Sequence, residues 1–296
     1  KAYVPNYKEF YEKRWFSSGL DMRVSQIMLC GEAVPAGMDI LFRATSNPDV
    51  CMGIEICEDL WVAPSPHEFQ AHAGATIMVN LSASNEVVGK ADWRRTMVEA
   101  ASGMSYGAYV YTSCGVGESS NDVIFGGHAI IAENGTILKE SERFSQENQV
   151  IVQDIDIDRL SYERRLIETF NDGAELARKV YRTVDFSLAD TNVSSVERFI
   201  DAHPFVPSNS AIRDDRCKEV FSIQVAGLAK KLKGAKTNRV VLGVSGGLDS
   251  TLAALVLAKT MDYLRLTRSN ASVFTMPGFG TTKRTKTNAL KLACSQ

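Results

Sequence analysis

Two stretches of this sequence hold residue types whose spacing would do chemistry. The first is Gly243-Val244-Ser245-Gly246-Gly247-Leu248-Asp249-Ser250, which follows the β-branched run Arg239–Val244 and precedes an apolar helical pattern over Thr251–Met261. A strand, a Gly-rich turn and a helix N-terminus together make an anion site, because free backbone N–H groups point at the ligand and the helix dipole adds partial positive charge. Gly246 and Gly247 let the backbone approach oxygen atoms that a Cβ would obstruct. Ser245 and Ser250 can donate hydroxyl hydrogen bonds. Asp249 is unfavourable beside a bare phosphate but makes sense as a ligand to Mg²⁺ bridging a pyrophosphate. No lysine follows the glycines, so this is not a Walker A loop. A Gly-rich turn without a ligand fits the same letters. A further turn, Pro277 to Thr282, follows a strand expected at Ala271–Met276. It fits either a second ligand loop at the carboxyl edge of a sheet or a simple turn.

The second stretch is Gly53-Ile54-Glu55-Ile56-Cys57-Glu58-Asp59-Leu60-Trp61, which puts Cys57 where a strand turns out of its sheet. A buried cysteine commonly serves as small apolar filler. Of the histidines, His67 and His72 lie in a stretch read as loop, while His128 and His203 are isolated, so a Cys–His pair has little support. A Cys–Lys pair has more. An ammonium beside the thiol favours the thiolate and stabilises the oxyanion formed when sulfur attacks an amide carbonyl.

The elements that must carry these residues read as alternating strands and helices from about residue 50. Val50–Cys57, Ala75–Leu81 and Ala108–Thr112 are short apolar runs of the kind that fill a buried sheet. Ala91–Tyr106 has apolar residues at helical spacing. His128–Ala132 and Thr136–Lys139 flank Asn134-Gly135, a strong hairpin signal. Val150–Ile157 alternates apolar and acidic residues like a half-exposed strand, and Tyr162–Arg182 reads as a charged helix. Residues 166–210 are polar and mixed, so the connection between two domains is placed there. Cys217–Leu232 and Arg284–Gln296 read as helices. The fold class is α/β.

Composition limits the partners. The 33 Lys and Arg against 35 Asp and Glu give a formal net charge of -2, with no global attraction to nucleic acid or anionic membrane. No apolar run is long enough for a membrane span. The six cysteines show neither zinc-finger spacing nor a disulfide framework, so reduced thiols and a cytoplasmic setting are expected. The sequence opens on Lys1 without an initiator Met and closes inside a helical pattern, so both ends are expected to be cut.

These motifs carry a resemblance. The loop at 245–250 resembles the SGGxDS signature of the N-type ATP pyrophosphatases, and "MPGFGTT" at 276–282 looks like the NAD synthetase branch of that superfamily. Ile56-Cys57-Glu58-Asp59 is similar to the nucleophile elbow of the carbon–nitrogen hydrolase (nitrilase) superfamily, whose catalytic set is Glu–Lys–Cys with a second Glu. By that resemblance the segment Lys1–Tyr7 makes Lys1 the catalytic lysine, and Phe10–Phe16 makes Glu12 the second glutamate. The first glutamate, the general base, lies upstream of the lysine in that family, and no residue here is nominated for it. The glutaminase branch implies that Tyr7, Glu58, Trp61, Ser84 and Lys90 line a glutamine pocket. Tyr7 and Trp61 equally fit ordinary packing, and Lys90 a solvated position. Glu118, Ser119 and Asp122 are expected to border the site.

An amidase-type module ahead of an SGGLDS loop is the layout of the glutamine-dependent NAD synthetase family. Phe205–Pro207 and Arg216–Leu228 resemble that family's entry into its second domain. The resemblance implies a nitrilase-like α/β sandwich over 1–165, a connection over 166–210, and the start of a Rossmann-like parallel α/β ATP pyrophosphatase domain over 211–296. It also implies ATP bound at Gly243–Ser250, Mg²⁺ on Asp249, and glutamine and nicotinic acid adenine dinucleotide as small-molecule substrates. A homo-oligomer without nucleic acid or membrane is the implied assembly.

Overall fold

A computed structural model describes residues 1–118, 123–188 and 195–295. The chain divides into two compact units, Lys1–Phe199 and Ile200–Gln296.

The first unit begins with two small hairpins, β1 (Asn6–Tyr7) with β2 (Phe10–Tyr11) and β3 (Gln26–Leu29) with β4 (Glu32–Pro35). The main sheet then forms from β5 (Ile40–Ala44), β6 (Cys51–Ile56), β7 (Ile77–Ser82), β8 (Ala108–Ser113), β9 (Ile130–Glu133), β10 (Thr136–Glu140) and β11 (Arg182–Phe186), in the order β10-β9-β8-β7-β6-β5-β11. Strands β6, β7 and β8 run parallel, because α1 (Pro66–His72) and α2 (Lys90–Met104) carry the chain back between them. Strands β9 and β10 close antiparallel through Asn134-Gly135, whose φ values of 46° and 81° are those of a tight primed hairpin turn.

The two faces of the sheet differ. On β6 the side chains of Cys51 and Glu55 point under the helices and are buried, while Ile54 and Ile56 on the other face are exposed. Leu81 continues that open face on β7. The core lies on the helical side, around Leu41, Met78, Val98, Tyr109, Tyr111 and Ile130.

Four expectations change here. Val150–Ile157 forms no strand: Val150 and Val152 are exposed, the Asp154 N–H donates to the Glu197 carbonyl at 3.3 Å, and the Asp156 N–H goes to the Glu133 carboxylate at 2.8 Å. With its backbone tied to one distant residue and a side chain, the segment has no neighbouring strand to pair with. The helix expected over Tyr162–Arg182 breaks at Ile167 (φ −97°, ψ 90°) into α3 (Ile157–Leu166) and α4 (Glu168–Ala177), then becomes β11. Strand β11 pairs in parallel with β5, so residues 168–186 of the expected connection belong to the first unit's architecture. Finally, His67 and His72 sit on α1 rather than in a loop. Arg164 secures α3 by donating to the carbonyls of Ala75, Ser105 and Tyr106, and burial holds its guanidinium at about 10.

The second unit contains α5 (Ser210–Gly234), β12 (Val240–Gly243), α6 (Leu248–Tyr263), β13 (Ala271–Phe274) and α7 (Lys283–Ser295). Strands β12 and β13 pair in parallel around the crossover α6. A small core joins Val244, Ala254 and Ala289.

Candidate functional site

Strand β6 ends at Ile56, and the chain turns at once into a 3₁₀ segment, Cys57–Leu60. Cys57 takes φ +52°, a left-handed conformation that costs an L-residue about 1–3 kcal/mol and persists only where its surroundings enforce it. Here Asn80 enforces it. Its Oδ1 accepts the Cys57 N–H at 3.0 Å, and its Nδ2 donates to the Cys57 carbonyl at 3.4 Å. Asn80 is fully buried and pairs with Glu55 across β6 and β7. Its Nδ2 also donates to Glu55 Oε1 at 3.3 Å, and its Oδ1 accepts from Ser82 at 2.7 Å. The Glu55 carboxylate further accepts from the Tyr109 hydroxyl and from the His67 N–H at 2.9 Å. Burial opposes ionisation of Glu55, but His67, Tyr109 and Asn80 carry its carboxyl below the usual range. His67 is therefore committed to holding Glu55 and not to the thiol.

The lysine approaches from the other side. Asp59 Oδ1 accepts the N–H groups of Ala2 and Tyr3, both at 2.9 Å, and its Oδ2 accepts the Ile56 N–H at 3.0 Å. Lys1 Nζ donates to Glu12 Oε2 at 2.7 Å. Lys1, Glu12 and Cys57 line one cavity of about 760 Å³, together with Ser82, Thr112, Ser113 and Cys114. The three residues assigned by resemblance thus meet in space. An ammonium, a carboxylate that orients it and a thiol at a strained elbow can attack a carbonyl carbon and hold the oxyanion that forms.

None of the five expected glutamine residues lines that cavity; four of them form two pairs beside it, and Ser84 stands apart. The Tyr7 hydroxyl donates to Glu58 Oε1 at 2.7 Å, and burial and that carboxylate push the phenol above its ordinary range. Lys90 Nζ lies 5.2 Å from the centre of the Trp61 ring and donates to Asn85 Oδ1, whose amide donates to Glu9 at 2.7 Å. Burial, then the neighbouring Arg94, lowers the Lys90 pKa, so this lysine is packed rather than freely solvated. Glu58 and Trp61 lie on and directly after the turn that Cys57 opens, so both pairs sit beside the elbow. Ser84 is buried, its N–H donates to Ser113 Oγ at 3.2 Å, and its hydroxyl accepts from the buried Arg94 at 3.4 Å. Its side chain is directed into the protein. Glu118 is exposed, and Ser119 and Asp122 lie outside the described residues.

The sequence reading passed over Asn80, Asp59 and Asn85. A signal for the first was present: Asn80 is an amide within the otherwise apolar run Ile77–Leu81. Such a residue must find partners when buried.

In the second unit the glycine loop leaves β12 and enters α6. The Val244 N–H donates to the Phe274 carbonyl at 2.7 Å, and Val244 is buried, so Gly243 and Val244 support the loop without lining its mouth. Gly246 has φ +81°, and a Cβ there would lie 1.9 Å from the Thr285 carbonyl oxygen. Gly247 caps α6, whose first turn carries Asp249. The Ser245 and Ser250 hydroxyls are 3.1 Å apart. A cavity of about 900 Å³ opens between Gly246, Gly247, Leu248 and Thr251 on one side and Thr282, Arg284, Thr285 and Lys291 on the other. The glycine backbone, the exposed helix start and the two cations suit a polyphosphate. The turn after β13 holds itself through Gly278 and Thr281, and it brings Thr282 to the same cavity. Among the described residues no three His, Cys, Asp or Glu side chains converge as a metal site.

Comparison with known proteins covers both halves of the chain. Residues 4–164 match the carbon-nitrogen hydrolase family and residues 220–295 match NAD synthase. The chain is 40% identical over 298 aligned residues to the glutamine-dependent NAD(+) synthetase of Mycobacterium tuberculosis, covering 99% of this chain and 44% of that protein. The Mycobacterium leprae protein of the same name is 40% identical, with 99% of this chain and 43% of that protein covered. That of Thermotoga maritima is 24% identical, with 99% and 44% covered. The chain therefore spans less than half the length of these relatives. With more than half of its residues matched by one family and the elbow cysteine, lysine and glutamate around one cavity, the chain belongs to the carbon–nitrogen hydrolase family and continues into NAD synthase sequence.

Proposed function

We propose that this chain supplies the nitrogen-donating and ATP-binding parts of a glutamine-dependent NAD(+) synthetase. The observation that carries this reading is the shared cavity of Cys57, Lys1 and Glu12, in a chain that also bears the Gly246 phosphate loop. The Cys57 thiolate attacks the carboxamide of glutamine, releasing ammonia and leaving a thioester that water clears to glutamate. Lys1, oriented by Glu12, stabilises the oxyanion. Glu58 recognises the substrate ammonium, and Lys90, held against Trp61 and Asn85, recognises its carboxylate. At the second site ATP adenylates the carboxylate of nicotinic acid adenine dinucleotide, expelling pyrophosphate. Ammonia then displaces AMP to give NAD. The backbone of Gly246 and Gly247, the start of α6, Arg284 and Lys291 cradle the phosphates, and Ser245 and Ser250 add hydroxyl donors. Asp249 would hold Mg²⁺, which neutralises charge on the pyrophosphate. The six free cysteines fit a cytoplasmic setting, where thiols stay reduced, and no helix among the described residues is long and apolar enough to cross a membrane.

In the intact protein, Cys57→Ala abolishes NAD formation from glutamine and leaves formation from added ammonia, measured by NAD and AMP release. Asp249→Asn abolishes both. Loss of ammonia-driven synthesis in Cys57→Ala would reduce Cys57 to a structural part.

A further inference from the structure

Asp59 is almost fully buried, yet no cationic side chain faces it among its hydrogen-bond partners, which are the backbone N–H groups of Ala2, Tyr3 and Ile56. Two of these belong to the residues directly after Lys1, and the third immediately precedes Cys57. Glu12 touches the Lys1 ammonium but belongs to the same N-terminal stretch, so it orients the amine without fixing that stretch to the elbow. Of the other side-chain links from residues 1–21, Tyr3 to the Pro64 carbonyl and Tyr7 to Glu58 are exposed, and Glu9 is tied to Asn85 on a different segment rather than to the elbow itself. A buried carboxylate accepting backbone N–H groups makes stronger and better-defined hydrogen bonds than exposed neutral pairs do.

We propose that Asp59 is a positioning residue that sets the placement of the Lys1 ammonium relative to the Cys57 thiol. One oxygen holds the lysine segment and the other holds the end of β6, so a single side chain determines the distance across the cavity. Asp59 touches neither substrate nor thiol and acts through Lys1. The inference rests on glutamine hydrolysis at Cys57.

Asp59→Asn in the intact protein tests it, because a carboxamide has one oxygen and cannot satisfy both sets of donors. We expect kcat for glutamine hydrolysis to fall about 100-fold, the scale of a 1 Å misplacement, with KM nearly unchanged and ammonia-driven synthesis retained. Alkylation of Cys57 by iodoacetamide at pH 7, followed on its peptide by mass spectrometry, is expected to slow about tenfold in Lys1→Ala, where the cation that shares its cavity is gone. Asp59→Asn slows it comparably. In the Lys1→Ala background Asp59→Asn adds less than about twofold, because the two residues act as one unit. A purely structural Asp59 would multiply the two losses, and that result overturns the proposal, as does an Asp59→Asn protein with unchanged kcat. If Asp59→Asn does not fold, Asp59→Ser is judged by the same criteria. Glutamine hydrolysis surviving in Cys57→Ala would instead overturn the functional reading beneath it.

Discussion

Cys57 and Gly246 stand at equivalent points in their units, where a parallel strand gives way to a turn, and both take a positive φ, +52° and +81°. They reach it by opposite means. Glycine adopts the conformation without steric cost, and the Gly246 loop is completed by its own neighbours, with Ser245, Gly247 and Ser250 bonded within five residues of one another. Cysteine does not adopt it freely. The Cys57 elbow is held by Asn80, 23 residues on, and by Asp59, whose bonds reach back 57 residues to Ala2. The glycine turn is written in consecutive residues, and the cysteine elbow is assembled from buried polar groups far apart in the chain. The first tolerates no side chain at Gly246, while the second tolerates no lost hydrogen bond.

The largest effect expected from this contrast is at Gly246. An alanine Cβ would meet the Thr285 carbonyl at 1.9 Å, which backbone cannot absorb without moving α7 off the loop. The left-handed φ adds about 1–3 kcal/mol of strain, and the overlap a similar amount again. Gly246→Ala is expected to lose ATP binding, measured by calorimetry, together with NAD synthesis from both glutamine and ammonia. Glutamine hydrolysis is expected to continue. Retained ATP affinity would mean that the loop is not the phosphate cradle.

Asn80→Ala removes the pin of the other site and comes next. It takes a donor from the buried Glu55, about 1–3 kcal/mol by the usual cost of an unsatisfied buried group, and leaves the part-buried Cys57 N–H without its acceptor. Urea unfolding should show that loss, and glutamine-driven synthesis should fall about 100-fold as the elbow relaxes. Ammonia-driven synthesis should hold. Equal loss of both nitrogen sources would show that Asn80 supports more than the elbow.

The same contrast explains what could be read from the sequence. The glycine loop, the Asn-Gly hairpin and the strands β6, β7 and β8 were legible because their determinants are local: a turn residue, a run of apolar residues, a helical period. Cys57, Lys1 and Glu12 were legible only through their resemblance to a family, since nothing in the spacing of residues 1, 12 and 57 announces a common cavity. Asp59 and Asn80 were hidden because a buried polar residue reveals its role through partners distant in sequence. Arg284 and Lys291 were hidden because the face α7 turns toward the loop is settled only when α6 packs beside it. The acidic alternation of Val150–Ile157 misled because period two also occurs in an extended segment with no neighbouring strand.

The smallest expected effect sharpens the comparison most. Gly247 sits beside Gly246 and looks equivalent in sequence, but its φ of −87° and ψ of 173° suit any residue. A Cβ there would find only Ser245 Oγ at 3.4 Å, an ordinary contact. Gly247→Ala should therefore cost about 0.5–1 kcal/mol through its poorer N-cap, measured by urea unfolding. Loop geometry should survive, so ATP affinity reports the ligand alone. If affinity is kept, the phosphates approach the loop through Gly246 and the N–H groups of α6, and the second glycine serves only as a cap. If affinity falls as far as in Gly246→Ala while stability does not, the nucleotide itself presses against residue 247. The loop would then owe its two glycines to two different neighbours, protein backbone for one and ligand oxygen for the other.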